Sequence, residues 1–188
     1  MEILDICNEE GIPTGKTVDR ETAHREAIRH RTAHVWIMRY QNGRIQVLLQ
    51  KRSMNKDSFP GMYDTSSAGH IPAGDEPEES ACRELQEELG ITASETDLIP
   101  VGKFRIRYDE VFRGKMFRDN EVTFVYILNL PVTDEMITVQ EEEIESTAWF
   151  DLKEVFDECM AGSTRFCVDP DGLKLLKQYL ISQDKWDD

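Results

Sequence analysis

The sequence predicts a mixed α/β fold, a sheet flanked by helices. Three observations carry this. Short apolar segments of strand character recur on both sides of a central helical pattern. An Asn42-Gly43 dipeptide joins two of them as a hairpin rather than through a crossover. Further helical patterns follow the last strand-like segment, so helices are available to pack on the sheet.

In chain order, residues 1–30 are polar, with a turn at Gly11-Ile12-Pro13-Thr14-Gly15. We expect them to form an N-terminal extension packed on a single domain spanning 1–188. H-V-W-I-M-R-Y (34–40) reads as a strand, and R-I-Q-V-L-L-Q (44–50) as its hairpin partner. Residues 51–61 read as a basic loop, and 63–68 as a short strand ending at Gly69. A helix is expected over 76–89, then strands at 98–108, 120–130 and 146–150, then helices near 152–160 and 172–181. Trp36, Phe124, Tyr126 and Trp149 are expected in the core rather than as base-stacking platforms. Asp184, Asp187 and Asp188 read as a solvated tail.

Composition narrows the function. At 188 residues the chain has room for a proper core. No apolar run is long enough to span a membrane, and Met1-Glu2-Ile3-Leu4-Asp5 does not start a secretory signal. Cys7, Cys82, Cys159 and Cys167 are far apart, so we expect neither a disulfide framework nor a structural zinc, and a cytoplasmic setting. The net charge of -15 opposes nucleic-acid polymers. A small phosphorylated ligand stays compatible if cations or a metal gather locally.

The most informative stretch is G-H-I-P-A-G-D-E-P-E-E-S-A-C-R-E-L-Q-E-E-L-G-I, Gly69 to Ile91. Asp75 is the expected cap of its helix, with Glu78 completing a capping box and Gly90 ending it. Ala81, Cys82, Leu85 and Leu89 form the apolar stripe. Glu84, Glu87 and Glu88 share another face at i, i+3 and i+4. Like charges so close destabilise a helix unless a cation joins them. Arg83 is one such cation. A divalent ion, Mg²⁺ or Mn²⁺, is the stronger answer, because both prefer hard oxygen ligands shared with phosphates. Acidic helix faces are often merely solvated, but the whole spacing is far more specific than a Glu cluster.

That spacing closely resembles the Nudix box (69–91), with Asp75 standing where the pattern has Glu. The resemblance implies an α/β/α sandwich with a mixed sheet. It also implies metal on Glu84, Glu87 and Glu88, oriented by Arg83, with a backbone carbonyl near Ala68–Gly69 as a further ligand. The implied activity is metal-dependent hydrolysis of a small-molecule diphosphate, nucleotide-type or related. A homodimer is left open.

A second resemblance runs from about Gly11 to Tyr126 and is to the isopentenyl-diphosphate isomerases, which share the Nudix fold. It is carried by R-E-T-A-H-R-E-A-I-R-H, Q-K-R-S-M-N-K-D-S-F-P-G, A-G-H and D-N-E-V. It implies a second metal site of His24, His30, His70, Asp119 and Glu121, with Asp119 where the isomerases have Glu. It also implies diphosphate contacts from Arg20, Arg52 and Lys56. Ala68 stands where the isomerases place a catalytic cysteine, and a methyl group cannot move a proton. The box itself is complete. Both departures point to hydrolysis, with Glu88, Glu121 or the 141–145 acidic run as proton acceptor. The alternatives are an isomerase-like enzyme working without the cysteine, or a non-catalytic diphosphate-binding module.

Overall fold

The computed structural model describes residues 2–186, so Asp187 and Asp188 lie outside it. The N-terminal segment is more ordered than its polar composition suggests. β1 (Ile3–Cys7) pairs antiparallel with β2 (Pro13–Asp19). α1 (Arg20–Glu26) follows at once, capped by the Asp19 carboxylate, which accepts from the Thr22 N–H at 2.9 Å.

The expected strand over 34–40 is two strands in different sheets. β3 (His30–Trp36) ends before Ile37, and β4 (Met38–Gln41) begins after it. Ile37 donates its N–H to Ser66 Oγ at 2.8 Å, and Ser66 Oγ donates to the Leu48 carbonyl at 2.6 Å. The buried Ser66 hydroxyl thus replaces a ladder bond where the chain changes sheet. Asn42 and Gly43, at φ 53° and 78°, make the expected tight turn into β5 (Arg44–Arg52).

β6 (Tyr63–Asp64) pairs with β5, and β7 (Ser67–His70) pairs antiparallel with β3. α2 (Pro77–Leu89) follows. β8 (Leu98–Phe112) and β9 (Lys115–Leu128) form one long hairpin, turning at Arg113-Gly114 with φ 49° and 77°. Residues 109–119, left between the expected strands at 98–108 and 120–130, are therefore the far end of this hairpin. β10 (Ile144–Asp151), α3 (Leu152–Met160) and α4 (Pro170–Ser182) complete the order. One sheet runs β7-β3-β9-β8, with β3 and β9 parallel and the rest antiparallel; the other runs β10-β5-β4, with β6 on β5.

Strand parity builds the sandwich. Ala33, Val35 and Ile37 face α2 and meet Ala81, Leu85 and Leu89. Trp36, Val125 and Ile127 face the other way and meet Val155, Leu173, Leu176 and Leu180 of α3 and α4. The result is an α/β/α sandwich with a mixed sheet.

The start of α2 differs from expectation. Its N-cap is Glu76, whose side chain makes no capping bond, so the Asp75–Glu78 capping box does not form. Pro77 opens the helix and forces the preceding residue into an extended conformation, seen at Glu76 with ψ 152°. Glu78 instead accepts from the Tyr126 hydroxyl at 2.9 Å. The loop is held from the N-terminal segment. Asp5 Oδ2 accepts from Arg31 Nη2 and from the Gly74 N–H, both at 2.9 Å, and Arg31 also donates to the Asp75 carbonyl at 3.0 Å.

Leu85 is fully buried where α2 meets the sheet. Leu85→Ala should destabilise the fold by about 2–5 kcal/mol, the range for a buried leucine whose cavity cannot fully collapse. Urea denaturation followed by far-UV circular dichroism checks this.

Candidate functional site

A cavity of about 550 Å³ opens where the edge strand β7 meets α2. It draws Arg20 and His24 from α1, Arg52 and Lys56 from the end of β5 and the loop after it, and His70 from β7. Glu84 and Glu87 come from α2, and Asp119 and Glu121 from β9. Two expected site residues, His30 and Glu88, are buried and stand one layer behind the lining.

The α2 carboxylates differ from one another. Gly69 has no Cβ at a point where one would overlap the Glu84 carboxyl, so glycine lets the helix lie against the edge strand. Arg83 Nη2 bridges the Glu84 carboxylate, at 3.1 Å from Oε1, to the His70 carbonyl at 3.2 Å. Burial pushes the Glu84 carboxyl up to about 7. Glu88 Oε2 accepts three hydrogen bonds: Ser67 Oγ at 2.7 Å, the Ala68 N–H at 3.1 Å and Gln50 Nε2 at 3.3 Å. Burial still raises its carboxyl to about 8, against the pull of those donors. Glu87 is exposed at the rim. Both carboxyls are held above their ordinary range even though Arg83 pairs with Glu84, which fits a divalent cation with hard oxygen ligands.

The histidine set lies on the opposite face of the sheet. His30 pairs with Glu121 across β3 and β9, and Thr32 with His70 across β3 and β7, so all four side chains project to one side. His24 Nε2 is 3.2 Å from His70 Nε2, and His24 Nδ1 is 3.6 Å from Asp119. Glu121 Oε1 is 3.4 Å from His30 Nε2 and 3.7 Å from His70 Nε2. The ligand atoms of His24, His30 and His70 lie within 4.8 Å of one another, as do those of His30, Asp119 and Glu121. His24 Nδ1 and His30 Nε2 are buried with no hydrogen-bond partner, so a cation among them would complete unmet bonds.

The electrostatics follow from burial and neighbours. Glu121 holds its proton affinity below the ordinary carboxylate range: although burial opposes it, the hydrogen bond and charge of His30 outweigh that cost. Asp119, buried beside that charge, is pushed up to about 9. His30 is raised by Glu121, while burial lowers His24 to about 4.

The three expected diphosphate cations are each already paired. Arg20 meets Glu2 at 3.1 Å, Arg52 meets Asp64 at 2.8 Å, and Lys56 meets Glu143 at 2.6 Å. Arg52 is further tied to the Ser58 carbonyl and hydroxyl at 3.0 and 3.1 Å. The acidic run 141–145 thus reaches the cavity through Glu143. Sequence reasoning missed Gln50 and Ser67, which fix Glu88, and His34, which lines the cavity. Only strand parity carried a signal for His34, two residues beyond Thr32 on the same face.

Glu88 has a pH consequence. Its folded pKa exceeds its unfolded one, so the folded state binds the proton more tightly. Stability from this group is present at low pH and is lost as pH rises from about 4.5 to about 8. In chelator, wild type should lose stability relative to Glu88→Gln across that window and plateau above it. Adding Mg²⁺ should recover wild type and not the variant. Melting temperatures of both proteins from pH 4 to 9 measure this.

Comparisons with known proteins agree with this architecture. A NUDIX domain family model matches residues 28–166. The chain is 37% identical over 155 residues to Nudix hydrolase 3 of Arabidopsis thaliana, covering 81% of this chain and 20% of that protein, so it spans about a fifth of that relative's length. It is 34% identical over 154 residues to an uncharacterized Nudix hydrolase of Clostridium acetobutylicum, covering 82% and 72%. It is 29% identical over 164 residues to an isopentenyl-diphosphate Delta-isomerase of Saccharopolyspora erythraea, covering 87% and 79%. A crystal structure from Deinococcus radiodurans superposes with a TM-score of 0.67 at 20% identity, covering 93% of this chain and 98% of that one, a likeness of fold. With the family model spanning most of the chain and the box residues gathered at one cavity, the chain belongs to the Nudix hydrolase family.

Proposed function

We propose that this protein is a metal-dependent hydrolase of the pyrophosphate bond in an organic diphosphate, and that residues 1–188 act as one catalytic unit. One observation carries the reading. The Glu84–Glu87 face of α2, with Glu88 behind it, opens on the same cavity as Arg20, Arg52 and Lys56. Carboxylates for a cation and cations for a diphosphate therefore share one space.

Glu84, Glu87 and Glu88 would hold Mg²⁺ or Mn²⁺, which would withdraw charge from the phosphoryl oxygens and lower the pKa of neighbouring water. The protein's own groups do the rest. Arg20, Arg52 and Lys56 bind the phosphates by exchanging their present carboxylate partners for substrate oxygens. That exchange stops the cavity from holding bare cations when empty. Glu84 is the proton acceptor. It lines the cavity, and Arg83 engages its Oε1 and holds the carboxylate in place there. Glu121 keeps its charge too tightly between its histidines to be an effective base, and Glu88 is fixed by three donors. Water oxygen bonds to phosphorus, the anhydride P–O bond breaks, and two phosphorylated products leave.

Hydrolysis with Mg²⁺ and with Mn²⁺, read as phosphate freed by added alkaline phosphatase from the phosphomonoester products, tests this across nucleotide sugars and dinucleotides, and chromatography of the products tests it for nucleoside triphosphates and isopentenyl diphosphate. Glu84→Gln should lower kcat by about 10²–10⁴, the usual worth of a positioned base, with KM little changed. Glu88→Gln should also lose turnover by orders of magnitude while remaining folded. Wild-type rates in both variants would refute the assignment.

A second reading is isomerase-like chemistry on an isoprenoid diphosphate. The His24, His30, His70 and Glu121 cluster favours it, with its unpartnered ring nitrogens. Ala68 opposes it, because a methyl group cannot move a proton. Conversion of isopentenyl diphosphate to an allylic product, without phosphate release, would select it.

A further inference from the structure

His34 is a cavity residue that the proposed chemistry does not use. It lies on β3 opposite Ala68 of β7, so both side chains project to the same face. The small methyl of Ala68 leaves the imidazole open to the cavity, which both residues line. Among the described residues no hydrogen bond reaches the His34 ring, and its one aromatic neighbour, Phe104, stands edge-on at 6.0 Å between centroids. Burial disfavours its charged form, so the ring offers one donor and one acceptor.

Asp169 lines the same cavity and lies close enough for its charge to act on His34. Its Oδ1 accepts from the Asp171 N–H at 2.8 Å as the cap of α4, and no protein hydrogen bond engages Oδ2 among the described residues. The cavity that carries Arg20, Arg52 and Lys56 is therefore also lined by unspent hydrogen-bonding groups. A hydrocarbon placed there would leave them buried and unpaired, the arrangement folded proteins avoid. A polar group would satisfy them.

We propose that His34 and Asp169 form a hydrogen-bonding floor for the organic part of the substrate, and that this part carries hydroxyl, amine or ring N–H groups instead of being a hydrocarbon. The inference rests on the hydrolase reading for the reaction, but not for binding. It separates the substrate from the isoprenoid diphosphates, whose tails carry no such groups. It also gives Ala68 a role: a larger residue there would crowd His34.

The test compares hydrolysis of a nucleoside diphosphate sugar with hydrolysis of geranyl diphosphate, in wild type, His34→Leu and His34→Gln. Wild type should favour the sugar substrate by about tenfold or more in kcat/KM. His34→Leu should collapse that ratio mainly through KM, and His34→Gln, which keeps a donor and an acceptor, should largely restore it. A wild type that prefers geranyl diphosphate, or an unchanged ratio in His34→Leu, overturns the proposal. Should His34→Leu fail to fold, Asp169→Ser, which keeps a helix cap and removes the free carboxylate oxygen, must shift the ratio in the same direction. If wild type hydrolyses neither compound, calorimetry with the same two compounds and Mg²⁺ decides the floor. Tighter binding of the sugar compound, weakened about tenfold by His34→Leu, supports it; equal affinities overturn it.

Discussion

β3 is buried on both faces and paired on both edges, with β7 on one side and β9 on the other. A strand in that position has no free parity: each residue belongs to one layer or the other, and a one-residue slip would exchange them. Arg31, Ala33 and Val35 are committed to the α2 side. His30, Thr32, His34 and Trp36 are committed to the other. The first set carries core packing and the Arg31–Asp5 clamp on the loop before α2. The second carries the histidine cluster, the proposed recognition floor and the core under α3 and α4. Register in β3 therefore positions both halves of the site at once.

The second organising theme is charge. A protein of net charge -15 would need to concentrate cations to receive the proposed diphosphate. Arg20, Arg52 and Lys56 gather at one cavity, each on a carboxylate from a different part of the chain: Glu2, Asp64 and Glu143. The N-terminal segment contributes more than its composition suggests. It supplies Glu2, Arg20 and His24 to the cavity, and Asp5 ties down the loop through Arg31 and Gly74. The Nudix family model begins at residue 28, so these contributions lie outside the matched segment.

The cavity combines two ligand sets around one edge strand. Glu84 approaches Gly69 from the α2 side, while His70 and Ala68 project to the opposite side. The strand is only four residues long, so both sets border the same cavity. Ala68 lies opposite His34 on this shared face, and in the proposed reading its methyl keeps space beside that ring.

The sequence by itself determined the sandwich, the Asn42-Gly43 hairpin, the span of α2 and the identities of the box carboxylates. Each rests on local periodicity or on a spacing longer than chance. It did not determine where strand 34–40 breaks, because that depends on Ser66, a residue close in space but far in sequence. It misplaced the cap of α2, because the extended conformation imposed by Pro77 and the distant Arg31 clamp override the local Asp75–Glu78 signal. It left 109–119 unassigned between two expected strands, because the hairpin's pairing partner had to be known before its alternation meant anything. Only the tertiary structure decided that Glu88 stands behind the cavity, held by Ser67 and Gln50, and that His34 opens into it. Those facts depend on which side chains meet across strands and helix, and burial and pairing are properties of the folded chain, not of any local stretch of it.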